Sequence, residues 1–180
     1  MSYQNMTLDE LKHDLIRDAQ KGYPIFISGA LYWLVMWIMG FYIEGKALAL
    51  SYLLGSGSIL PLGILFSKLL KVNFLSKNPL GKLGGIIGGT QAFYLPLWIV
   101  IYIERYELIP MAIGLLGASH FLPYMWIYKS KTYLFLSAAM ALIAFVFGYV
   151  FIEKAFTLVP FLLMIIYIVT VVSLRIETRK

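Results

Sequence analysis

Three polar side chains interrupt long apolar stretches of the sequence and are the ones whose chemistry needs explaining: Ser58, Gln91 and His120. Each lies nine or ten residues from the lysine that ends its apolar stretch. At a rise of about 1.5 Å per helical residue, all three are expected about 13–15 Å deep in an apolar layer about 30 Å thick. Because polar groups that face lipid are costly, we expect these side chains to point inward and to meet one another or water.

Tyr124 extends this group, because it lies one helical turn after His120 on the same face. The predicted substrate-binding residues are therefore His120, Gln91, Ser58 and Tyr124. His120 is the member that titrates near neutrality, so it is the candidate for coupling to protons. The alternative interpretation is structural, with these side chains joining helices through hydrogen bonds worth about 0.6 kcal/mol each.

The sequence argues against the commoner catalytic and metal centres. It has no cysteine, and its two histidines are His13 and His120. A structural or catalytic metal site needs three or more convergent ligands, and a Ser-His-acid triad needs a carboxylate at the depth of His120. The apolar stretches supply neither, so we expect no catalytic residue, no metal and no cofactor. A non-catalytic role is favoured over an enzymatic one such as lipid modification.

The composition is that of an integral membrane protein. Hydrophobic residues make up 61% of the 180 residues and charged residues 13%, against about 45–50% and about 25% in globular proteins. A membrane helix needs about 20 apolar residues, and six such runs lie near residues 24–43, 47–67, 83–103, 108–128, 132–152 and 155–174. We predict an all-α polytopic membrane protein whose six transmembrane helices form three hairpins.

The charges of the connections predict the orientation. Three connections carry one positive residue each, at Lys46, Arg105 and Lys154, whereas the remaining connections and both termini carry twelve. The positive-inside rule then places both termini in the cytoplasm. The lysines of one loop are also expected to attract anionic lipid; they are Lys68, Lys71, Lys77 and Lys82. The basic residues are scattered rather than clustered on one stripe, so a nucleic-acid partner is not expected.

The N-terminal segment predicts a short amphipathic helix. Thr7 and Glu10 have the spacing of a capping box, and Leu8, Leu11 and Leu15 then share one face. The helix is expected either on the cytoplasmic membrane surface or across the cytoplasmic ends of the spans. Its acidic residues are unlike a cleaved signal peptide. We divide the chain into a cytoplasmic amphipathic segment, 1–23, a six-helix transmembrane domain, 24–174, and a basic cytoplasmic tail, 175–180.

Glycines provide the expected sites of close helix packing. In lipid, small residues let helix backbones approach one another. The predicted packing residues are Gly81, Gly84, Gly85, Gly88, Gly89, Gly55 and Gly117. The last two belong to an internal echo, since LLGSGSILP at 53–61 returns 62 residues later as LLGASHFLP at 115–123. Descent from a duplicated hairpin and independent convergence on good packing residues both explain the echo.

The four tryptophans are expected in aromatic belts at the two membrane interfaces, where amphipathic rings concentrate. They are Trp33, Trp37, Trp98 and Trp126.

Three strings carry a resemblance to a known family: KNPLGKLG at 77–84, QAFYLP at 91–96 and HFLPYMWIY at 120–128. The chain resembles an uncharacterised family of small multi-span membrane proteins, a domain of unknown function in Bacillus-like bacteria. The resemblance implies a bacterial cytoplasmic membrane protein and supplies no activity.

Two functions of different classes follow from the residues. The first is a small-molecule or ion transporter or channel-like protein that uses the polar layer at mid-depth. The second is a non-catalytic membrane subunit, with an immunity, regulatory or accessory role, that acts through helix contacts with a second copy or a membrane partner.

Overall fold

The computed structural model of the chain describes residues 3–179, which contain nine α-helices and no strand. Met1, Ser2 and Lys180 lie outside the described residues. The helices are α1 (Leu8–Ala19), α2 (Tyr23–Met39), α3 (Gly45–Ser56), α4 (Ile59–Leu69), α5 (Pro79–Gly89), α6 (Leu95–Arg105), α7 (Ile109–Ile127), α8 (Lys131–Phe145) and α9 (Ala155–Arg179). The predicted all-helical class is confirmed.

Several helical stretches have the length and apolar character needed to cross a membrane. Four such stretches are Leu8–Met39, Pro79–Ile127, Lys131–Val150 and Ile152–Arg179, in which short 3₁₀ or π segments adjoin or join the α-helices. A fifth crossing results if α3 and α4 form a single span, bent by 44°. The described residues therefore provide four or five membrane-length segments.

The core lies where α2 packs along α9 and α7 packs along α8, with α8 and α9 joining the two pairs. Close approach depends on glycine at two of these contacts. A Cβ on Gly29 of α2 would collide with the ring of Tyr167 on α9, and one on Gly114 of α7 would lie 2.8 Å from the Cβ of Ala144 on α8. Small residues thus set the spacing of both main helix pairs.

Helix α1 packs against the start of α5, while its location on the cytoplasmic side stays a prediction. The capping box is present, with the Glu10 Oε2 accepting from the Thr7 backbone N–H at 2.7 Å. Leu15 and Ala19 are buried, and Asn78, at the start of α5, donates to the Leu11 carbonyl at 2.9 Å. The segment predicted as amphipathic, 1–23, thus includes α1 and the turn that leads into α2.

At the other end of the chain, α9 continues to Arg179 without a break. The predicted tail, 175–180, is therefore the last part of this helix as far as Arg179, while Lys180 lies outside the described residues.

The two copies of the nonapeptide echo have different backbones. The first copy is interrupted at Gly57 and Ser58, between α3 and α4, and its Pro61 lies in the first turn of α4. The second copy lies within the continuous helix α7, with Pro123 inside it. The shared sequence therefore does not impose a shared bend.

Two of the four tryptophans are core residues rather than members of an interfacial belt. Trp33 is 1% exposed and Trp98 is 8% exposed, whereas Trp126 is 50% exposed. Trp33 packs edge-on against Tyr32 and Tyr52 with ring centroids 4.8 and 6.1 Å apart. Composition alone does not separate a buried aromatic residue from an anchoring one.

Candidate polar site between α5 and α7

The structure brings Gln91, His120 and Tyr124 to one seam between helices. Gln91 lies in a 3₁₀ segment, Thr90–Tyr94, that separates α5 from α6. Its side-chain amide donates to the carbonyl of Leu116 on α7 at 3.3 Å. Because Leu116, His120 and Tyr124 are spaced by four residues, they follow one face of α7. The seam therefore has polar groups over about two helical turns.

Tyr124 ties α7 directly to α5. Its hydroxyl donates to the Gly84 carbonyl at 2.5 Å, and its ring lies over Gly84, where an added Cβ would be 3.2 Å from Cε1. A Cβ at Gly84 would require this ring to shift by a few tenths of an ångström. The glycine therefore favours the close approach at which the hydrogen bond forms.

His120 packs against two aromatic rings of its own helix. It lies against Phe121, with ring centroids 3.9 Å apart, and edge-on to Tyr124 at 6.3 Å. Its Nδ1 is buried and makes no hydrogen bond of normal geometry within residues 3–179, although the Gly117 backbone lies close to the imidazole ring. A buried polar atom without a partner costs about 1–3 kcal/mol, so this nitrogen is the least satisfied polar group of the seam.

Ser58 lies apart from this group. Its side chain is exposed and its hydroxyl donates to the Gly55 carbonyl of its own turn at 2.7 Å. It lines a groove of about 180 Å³ together with Tyr32 and Met36 of α2. Within the described part of the chain, no hydrogen bond joins Ser58 to Gln91, His120 or Tyr124. Three of the four predicted residues thus share a seam, and the fourth faces a different helix.

The sequence reasoning missed Tyr94 and Ser119, which add a second polar link across the seam. Their hydroxyls lie 3.2 Å apart, and Ser119 also donates to the Leu116 carbonyl at 2.7 Å. Tyr94 follows Gln91 by three residues, so the helical spacing that selected Tyr124 would also have selected it.

The seven glycines expected to pack fall into two environments. An added Cβ would contact a neighbouring segment at five of them, namely Gly81, Gly84, Gly88, Gly55 and Gly117. At Gly85 and Gly89 nothing lies within 4 Å of that position. One face of α5 thus packs inside the molecule and the other is open.

Two surface features lie away from the seam. The four lysines from the end of α4 to the start of α5 are all exposed: Lys68, Lys71, Lys77 and Lys82. Their binding to anionic lipid stays a prediction, which co-sedimentation with vesicles that contain or lack phosphatidylserine would test. A second cavity of about 180 Å³ follows the backbone at 150–154.

Within residues 3–179 no three His, Asp or Glu side chains converge as a metal site would require.

Apolar helices of membrane length, packed through glycines around a partly buried polar seam, are the features of a helical membrane protein. The chain belongs to a family of unknown function (DUF7010), whose model matches residues 8–177. The predicted membership of an uncharacterised family is thereby confirmed. No curated protein and no solved structure matches the chain. The family description assigns no activity, so the function has to be argued from the site.

Proposed function

We propose that this protein is a multi-pass transporter or channel-like protein of the bacterial cytoplasmic membrane, passing a small molecule or an ion through the seam between α5 and α7. The observation that carries the proposal is His120, whose buried Nδ1 makes no hydrogen bond within the described residues and which lies near the 3₁₀ segment that separates α5 from α6. Interrupted helices near mid-depth are where transporters place their sites, because freed backbone groups there can bind substrate.

The proposed protein crosses the membrane six times, with both termini in the cytoplasm. The stretch Pro79–Ile127 has 49 residues and would be about 74 Å long as one helix, more than twice a membrane core. Its backbone leaves the helical region at Arg105, with φ −148° and ψ 62°. Two crossings that meet at Arg105, together with the bent pair α3 and α4, support a count of six.

The test is whether the seam admits water. Because the chain has no cysteine, a His120→Cys variant carries a single thiol. Its reaction with a small charged methanethiosulfonate shows whether water reaches position 120 from either side of the membrane. We expect His120→Cys to react in nanodiscs. Ala118→Cys is the matched control, since Ala118 lies half a turn away on α7, is 1% exposed and should stay unreactive.

Function is measured separately in proteoliposomes, with dye-detected proton flux and with potassium and sodium flux. We expect His120→Ala to reduce flux at least tenfold while Ser58→Ala, outside the seam, leaves it unchanged. An unreactive thiol in His120→Cys together with unchanged flux in His120→Ala would reject the proposal.

A membrane-subunit function is the second candidate, favoured by the open face of α5. Gly85 and Gly89 have the GxxxG spacing that lets two helices approach closely, and Phe93, one turn further, is 84% exposed. A second copy or another membrane protein would cover this face. Oxidative cross-linking of Gly89→Cys in native membranes tests for self-association, and Gly85→Leu should abolish it.

A further inference from the structure

Helix α1 lies across one end of the seam between α5 and α7. The Lys129 ammonium, just after α7, forms an ion pair of 2.6 Å with Asp9. The Lys12 ammonium lies 3.5 Å above the ring of Trp126 on α7. At the start of α5, Asn78 donates to the carboxylate of Asp14 at 3.0 Å. Thus α1 is held to both helices that form the seam.

The segment between α1 and α2 has a strained backbone. Gln20 and Lys21 both adopt left-handed conformations, with φ of 46° and 54°, and Gly22 follows with φ of 68°. For residues other than glycine this conformation is unfavourable, because the Cβ lies too close to the following carbonyl oxygen. The strain persists only because the surrounding structure holds these residues in place.

Lys21 is the residue through which the bundle holds this turn. Its ammonium pairs with the carboxylate of Glu177 on α9 at 2.7 Å, and the two side chains are 9% and 29% exposed. The same carboxylate accepts from Thr132 at 2.6 Å. The hydroxyl of Tyr133 donates to the Lys21 carbonyl at 2.7 Å. Removing one partner of such a pair leaves the other charge partly buried without compensation.

We infer that α1 is a hinged lid over the end of the α5–α7 seam, with Gln20–Gly22 as its hinge and the Lys21–Glu177 ion pair as its latch. When the latch is broken, the strained turn relaxes and α1 swings away from the ends of α5 and α7. The lid movement goes beyond the proposed function. Only the role of the lid as a gate to the His120 site rests on that function.

The lid is tested by the reactivity of one buried thiol. Ala19, the last residue of α1, is 0% exposed, so Ala19→Cys in the full chain reports opening through its rate of reaction with a maleimide in nanodiscs. We expect Lys21→Met and Glu177→Gln each to raise this rate about tenfold, the scale of a lost hydrogen bond to a charged group. Lys131→Met, which removes an exposed lysine nearby, should not change it.

A second pair of variants tests the hinge. Gly22→Ala places a methyl group in a left-handed residue 3.3 Å from the Tyr133 hydroxyl, whereas Gly45→Ala, also left-handed, adds one where nothing lies within 4 Å. In the Ala19→Cys background, Gly22→Ala should accelerate labelling of the thiol at position 19, and Gly45→Ala should not.

A third thiol separates lid opening from general loosening. Ala155 is 0% exposed and begins α9, at the far end of that helix from Glu177, so Ala155→Cys should stay unreactive in every latch variant. Unchanged labelling of Ala19→Cys in both latch variants would overturn the lid, and so would a parallel rise in the labelling of Ala155→Cys. These measurements do not depend on transport activity. Evidence against the lid can therefore be distinguished from evidence against the transport site.

Discussion

At the scale of single residues, the glycines make a prediction that distinguishes packed positions from open ones. Gly29→Ala would drive a methyl group into the ring of Tyr167, while Gly85→Ala adds one where nothing lies within 4 Å. Overpacking costs about 1–3 kcal/mol, whereas replacing a helical glycine by alanine in free space gains up to about 1 kcal/mol. We expect Gly29→Ala to lower, and Gly85→Ala to keep or raise, the free energy of unfolding in detergent. Equal effects would contradict the packing.

The residues of the seam also show which features of a site can be predicted from the spacing of residues along the sequence. A four-residue interval places His120 and Tyr124 on one helix face whatever surrounds the helix. Ser58 was predicted to lie beside these two residues only because its expected depth in the membrane is similar to theirs. The rotation of its segment is instead set by packing against α2, where Ser58 shares a groove with Tyr32 and Met36, and such long-range packing leaves no local pattern.

At the scale of elements, the lengths of apolar runs predict helices well because lipid forces the backbone to satisfy its own hydrogen bonds. The predicted run 132–152 overlaps α8, which begins at Lys131, and 155–174 lies inside α9, which begins at Ala155. Interruptions are harder to predict. The break at Gly57 and Ser58 occurs in one copy of the echo and not in the other, so the residues shared by the two copies do not determine it.

Ser28 on α2 makes a hydrogen bond to the segment that follows this break, and a substitution there tests its importance. Its buried hydroxyl lies 2.8 Å from the carbonyl of Ile59, the first residue of α4, and 2.7 Å from that of Ile25. Ser28→Ala leaves the Ile59 carbonyl without this donor and should destabilise the protein by about 1 kcal/mol. Ser56→Ala is the control, because the Ser56 hydroxyl donates to the Leu53 carbonyl within its own helix, α3. Equal unfolding midpoints for the two variants would exclude a role for Ser28 in joining α2 to α4.

At the scale of the whole molecule, side-chain contacts gather the connections into two groups. The first group joins the N-terminal segment to the loop after α4 through Asp18 and Ser76, at 2.8 Å, and to α9 through Lys21 and Glu177. In the second group Lys46 donates to the Ile103 carbonyl at 3.5 Å. Connections rich in lysine and arginine therefore contact one another, and their location on a single membrane side stays a prediction from the distribution of charge.

The orientation of the protein in the membrane can be tested by labelling single thiols at the two ends. With the richer end in the cytoplasm, the thiol of His13→Cys should be shielded from a membrane-impermeable maleimide in intact bacterial cells, and that of Glu104→Cys should react. Both native side chains are exposed, so a lack of reaction would indicate that the membrane, and not burial within the protein, protects the thiol. After permeabilisation both variants should react at similar rates. Labelling of His13→Cys but not of Glu104→Cys in intact cells would invert the topology, and labelling of both would show that the two groups of connections do not lie on opposite sides.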